Sequence, residues 1–114
     1  MTPIVERYLE ALTSHDWDGL RDCLSVDVVR IGPYNDEYRG ADAYVGFLSA
    51  LMPTLPDYSM DVARVTYVDD RAFVELAETV GGVRTDEALV FEISDDRIVR
   101  VDVYIKTRPS ERKT

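Results

Sequence analysis

The chain has 114 residues, 46% of them hydrophobic and 31% charged, with 22 acidic against 13 basic side chains and a formal net charge of -9. That size and apolar fraction make one globular domain with its own core and exclude two domains or a disordered chain. The acidic balance excludes nucleic acid as a partner, because neutralising phosphates needs clustered cations. A lone cysteine, Cys23, rules out an internal disulfide and argues against a cysteine-based zinc site.

The first segment reads as a helix. Thr2 can cap it, Pro3 suits the first turn, and Ile4, Val5, Tyr8, Leu9 and Leu12 recur at helical spacing. Charges interrupt the apolar pattern there, so no signal peptide is expected. No window approaches the roughly 18 apolar residues of a membrane span. A soluble, cytoplasmic protein with no membrane partner is the resulting expectation. Asp16 then caps a short second helix that puts Trp17, Leu20, Cys23 and Leu24 on one face.

A strand is expected over residues 26–31, followed by a loop over 32–36 (GPYND) and a stop at Gly40. A third helix starts near Asp42, with Tyr44, Phe47, Leu48, Leu51 and Met52 in one apolar stripe, and Pro53 ends it. Four strands follow, over 60–68, 71–80, 85–93 and 97–105, separated by Asp69-Asp70, Gly81-Gly82 and Ser94-Asp95-Asp96. The polar stretch 107–114 reads as a flexible, solvated tail. Helices segregated from a long antiparallel sheet define an α+β layer fold. Such a sheet, curved around three helices, makes a cone whose narrow end fills and whose wide end stays open.

The ordered pieces resemble the nuclear transport factor 2-like superfamily, in its SnoaL-like branch. They are the opening amphipathic helix, Asp16-Trp17, Asp27, Gly40-Ala41-Asp42-Ala43 with Phe47, and Asp95-Asp96-Arg97-Ile98. The resemblance spans roughly residues 3–106, so a single SnoaL-like domain is expected over 1–106. It implies a cone-shaped, cystatin-like fold with a curved antiparallel sheet wrapped around three N-terminal helices. It also implies a cavity and a homodimer paired through the sheet face. Relatives on this fold include polyketide cyclases, ketosteroid isomerases, an epoxide hydrolase and pure binding proteins, so the site must argue the function.

Strand alternation supplies the candidates. One face of 71–80 is Ala72, Val74, Leu76 and Glu78. If that face is concave, Glu78 meets the cavity, where desolvation raises a carboxylate's pKa towards that of a neutral-pH base. A strand-end Glu facing water is the ordinary alternative. Limonene epoxide hydrolase has an Arg and an Asp two apart on the similar strand; Leu76 and Glu78 stand there, so the carboxylate is kept and the arginine is not. The isomerases carry a base Asp just before a proline ahead of the third helix; Gly32 stands there, before Pro33. On the last strand Asp102 is the nearest match to the cyclases' acid/base, sharing a face with Arg100 and Tyr104. The opposite face, Val99, Val101, Val103 and Ile105, is the natural core face.

Glu78 and Asp102 are therefore the candidate proton movers. Tyr8, Tyr34, Tyr104, Leu76 and Phe91 are the candidate substrate contacts, with Tyr44 as a further hydroxyl and Glu87 sharing the parity of Leu89 and Phe91. His15 and Cys23 read as structural. No metal site, nucleotide motif or cofactor is expected. The preference for arginine over lysine reads as codon bias. The expected function is a pocket for a small apolar molecule, cyclic or carbonyl-bearing, with isomerase-, cyclase- or hydrolase-like acid–base chemistry. A non-catalytic dimeric binding or interaction domain is the alternative.

Overall fold

A computed structural model describes residues 2–107. Helix α1 covers Ile4–Ser14, and its buried side is Ile4, Val5, Tyr8, Leu9, Ala11 and Leu12. Pro3, not Thr2, precedes its first turn, and the Pro3 carbonyl accepts the Arg7 N–H at 3.0 Å. His15 closes it in the left-handed region, at φ 59°. Asp16 then caps α2, Trp17–Cys23, by accepting the Gly19 N–H at 3.0 Å. Helix α3 runs Ala41–Leu51 and tightens into a 3-10 turn, Met52–Thr54, around Pro53.

Six strands form one sheet: β1 Leu24–Ile31, β2 Glu37–Arg39, β3 Ser59–Val68, β4 Arg71–Val80, β5 Val83–Ser94 and β6 Arg97–Ile105. Their spatial order is β2-β1-β6-β5-β4-β3. The four expected C-terminal strands form the meander. Gly81 and Gly82 both take positive φ in the two-residue β4–β5 turn, the conformation a primed hairpin turn demands.

Two features depart from the sequence reading. The three-residue β2 lies where only a loop was expected; it is too short to show a period, and it forms by pairing with β1 across the 32–36 turn. The sheet is also mixed, because β1 runs parallel to β6. That pairing joins segments some seventy residues apart, beyond the reach of local signals. Only Thr107 of the expected tail falls within the described residues.

The register shifts between Leu24 and Val29, Val62 and Arg64, and Glu92 and Ile93. Irregularities of this kind bend a strand and sharpen its twist, which curves the sheet over the helices. The core lies between them: Val5 and Leu20 from the helices meet Val28, Val74, Phe91, Ile98 and Val101 from the sheet. Alternation along β4 buries Ala72, Val74 and Leu76, so the Glu78 parity is the concave one. On β6 it buries Ile98, Val101 and Val103. Asp102 and Tyr104 consequently point away from the core.

Candidate functional site

The curved face encloses a cavity of about 90 Å³ at the end of the core. Apolar walls come from Leu12 of α1, Leu48 and Leu51 of α3, Met52 and Leu55 beyond it, Leu89 of β5, and Val101 and Val103 of β6. Polar groups converge on this space from four elements: Tyr8, Arg30, Glu78 and Glu87.

Glu78 and Glu87 meet because of strand register. Leu76 lies opposite Glu87 and Glu78 opposite Thr85, so the two glutamates are diagonal neighbours on one face. Long side chains span that diagonal. Burial, then the hydrogen bond to Glu78 and its negative charge, push the Glu87 carboxyl up to about 9, against the opposing pull of Arg30. Glu87 therefore keeps its proton at neutral pH and donates it to Glu78. The Tyr58 hydroxyl also donates to Glu78. Burial and that same bond hold the Tyr58 phenol well above its ordinary range.

Tyr8 and Tyr44 share a buried hydrogen bond of 2.5 Å between their hydroxyls. Burial raises both phenols, and Arg30 opposes the rise in each. All three tyrosines therefore stay protonated at neutral pH, and none serves as a base. Phe91 packs edge-on against Tyr8 at 5.2 Å.

Arg30 projects from β1 into an aromatic box. Its guanidinium carbon lies 5.0 Å from the Phe47 ring centre and 5.9 Å from those of Tyr38 and Tyr44, distances at which a ring face attracts a cation. Asp36 holds a carboxylate oxygen 3.9 Å from Nη1. That is an ion pair beyond hydrogen-bond reach, and Nη1 is buried with no hydrogen-bond partner. A Cβ at Gly32 would stand 2.3 Å from an Asp36 carboxylate oxygen. Glycine at 32 thus leaves the space in which Asp36 folds back towards Arg30. The acid lies four residues after the position where the isomerases carry theirs.

The predicted residues divide accordingly. Glu78 and Tyr8 line the cavity, and Tyr44 backs it through Tyr8. Leu76 and Phe91 are core residues close by and do not line it. Asp102 is a correction: it lies on the outer face and takes two hydrogen bonds from Arg100, at 2.8 and 3.1 Å. Strand alternation forces this, since Val101 and Val103 hold the inward positions. Tyr104 shares that outer face at 58% exposure, and Tyr34 sits at the loop tip at 80%. Neither reaches the cavity. Arg30 and Tyr58 were missed. Arg30 was readable from the alternation Val28-Arg30 on the expected strand; Tyr58, between Pro56 and the third strand, carries no periodic signal. Among the described residues, no three of His, Cys, Asp and Glu gather as metal ligands, and no helix is long and apolar enough to cross a membrane.

The SnoaL-like domain family matches the chain over residues 5–101. Curated proteins give no match. Among solved structures, a nuclear transport factor 2-like protein of unknown function from Mesorhizobium loti is 23% identical at a TM-score of 0.82, covering 91% of this chain and 88% of its own. An LEH-like epoxide hydrolase from M. tuberculosis is 24% identical at 0.76, covering 90% and 80%. A protein with a ketosteroid isomerase-like fold from Catenulispora acidiphila, in complex with trimethylamine, is 14% identical at 0.77, covering 91% and 86%. At these identities the likeness is one of fold.

Proposed function

The chain belongs to the SnoaL-like domain family, and on that premise we propose that it performs acid–base chemistry on a small, largely apolar molecule held in the cone. The observation that carries the reading is the Glu78–Glu87 pair. Two carboxyl groups in contact inside an enclosed, mostly apolar cavity cannot both ionise, so one is kept as acid and one as base. Glu78 is the proton acceptor and Glu87 the donor, with Tyr58 orienting Glu78. Asp102, turned outward, has no part in this reading.

Cavity size bounds the ligand. About 90 Å³ is the liquid volume of about three water molecules, well below the roughly 300–1,000 Å³ of ordinary ligand pockets. A ring-bearing ligand enters only if Leu51, Met52 and Leu55 move aside.

The test offers small ketones and small epoxides to the protein in deuterium oxide. Carbon-bound deuterium or diol formation is followed by NMR. Turnover of one class is expected, falling about 10²–10⁴-fold in Glu78→Gln. Equal turnover in wild type and Glu78→Gln refutes the assignment of the base. Binding without turnover in either protein favours the non-catalytic alternative.

Pairing of two copies through the sheet's outer face belongs to the same proposal. That face exposes Phe73 and Tyr104 beside the Arg64–Glu75 and Arg100–Asp102 ion pairs. Its two signs of charge allow a self-complementary, twofold contact. Light scattering is expected to report twice the chain mass for wild type and a single chain for Phe73→Arg. A monomeric wild type refutes the pairing.

A further inference from the structure

We infer that Arg30 is the specificity residue of the cavity, its guanidinium receiving the carbonyl oxygen of a small neutral ligand. The inference rests on the cavity reading above and adds the chemical class of what enters.

Three observations carry it. Arg30 lines the cavity together with Tyr8, Glu78 and Glu87. Its Nη1 is buried and lacks a hydrogen-bond partner, the Asp36 carboxylate being held at 3.9 Å. The guanidinium is fixed in place by the Phe47, Tyr38 and Tyr44 rings. A buried donor without a partner costs free energy that an incoming acceptor recovers. A guanidinium held by aromatic faces keeps one orientation, where a free side chain would be searching.

Charge selects a neutral carbonyl over a carboxylate. The Glu78–Glu87 pair carries one negative charge for its single shared proton, and Asp36 carries another, against the one positive charge of Arg30. A carboxylate would add a third negative charge at close range in a desolvated space. A carbonyl enters without charge. When Glu78 takes a proton from the neighbouring carbon, the C–H electron pair becomes a C=C bond. The carbonyl π pair moves to oxygen, so the new negative charge falls on the atom that Arg30 holds. Return of the proton to carbon reverses both shifts.

Acetamide is the probe, four non-hydrogen atoms that fit the available volume, with acetate as its charged isostere. Binding is read from the methyl signals of Leu89, Val101 and Val103 in protein NMR spectra. Acetamide is expected to shift these methyls in wild type and to bind more tightly than acetate. In Arg30→Met, where a shorter apolar chain removes the guanidinium from the aromatic box, acetamide binding is expected to weaken about tenfold or more. Should that variant not fold, Arg30→Lys decides, because its ammonium ends one bond short of Nη1 and is expected to weaken binding too. Unchanged acetamide affinity in the folded variant overturns the role of Arg30 and leaves the cavity reading standing. Tighter binding of acetate overturns the neutral-carbonyl class. Absence of any methyl shift in wild type overturns the cavity reading, and this inference with it.

Discussion

Replacing Glu87 by Gln tests the carboxyl pair through stability alone, with no substrate needed. Glu87 goes from an ordinary value of 4.5 to about 9 on folding. Between those values the folded chain binds a proton that the unfolded chain has released. Stability is therefore fully present below pH 4.5 and is lost as pH rises towards 9. At the full slope of about 1.36 kcal/mol per pH unit, the loss from pH 5 to pH 8 is about 4 kcal/mol. Glu87 is only partly buried, so solvent screening cuts this to about 2 kcal/mol. The neutral amide of Gln donates to Glu78 as the protonated acid does, and it does not titrate. Urea unfolding of both proteins at intervals from pH 5 to pH 9 isolates the effect, since every other titrating group is common to the two. Glu87→Gln is expected to gain on wild type steadily as pH rises, with equal m-values. A difference that stays flat across this range refutes the claim that Glu87 holds its proton at neutral pH.

Two further perturbations probe the groups around the pair. Tyr44→Phe strands the buried Tyr8 hydroxyl and is expected to cost about 1–3 kcal/mol. Adding Tyr8→Phe is expected to cost less than the sum of the single changes by about 1 kcal/mol, read from a urea double-mutant cycle; simple additivity refutes the coupling implied by their 2.5 Å contact. Gly32→Ala is expected to drive the Asp36 carboxylate off its present position and to cost about 1 kcal/mol in thermal unfolding. A crystal structure of the variant with Asp36 unmoved refutes the crowding argument.

Much of the site was legible from local pattern. The two-residue turn at Gly81-Gly82 sets the β4–β5 register by itself. That register puts Glu78 and Glu87 on one face, two positions apart. The apolar partners Ala72, Val74 and Leu76 identify the face as concave. Alternation on β6 carried the opposite message for Asp102, and resemblance to the cyclases' acid drew attention to the wrong parity. Arg30 was overlooked because a cation amid an apolar strand reads as exposed. What makes it a pocket residue is the box of Tyr38, Tyr44 and Phe47, assembled by β2 and α3 packing beside β1. Contacts of that kind depend on which strands become neighbours, and the parallel β1–β6 pairing has no signature in the sequence.

That pairing also governs how the fold comes into being. The last described strand, β6, occupies an interior place in the sheet, with β1 on one side and β5 on the other. Before it docks there is no single sheet: β2-β1 and β5-β4-β3 are separate ribbons with bare edges, each prone to pairing with the wrong neighbour. Arg30 rides on one ribbon and the two glutamates on the other. Assembly of the chemistry thus waits on the most distant closure along the chain, a slow step by the measure of sequence separation. Any lesion that loosens residues 97–105 therefore parts Arg30 from the two glutamates while leaving the β4–β5 hairpin that pairs them.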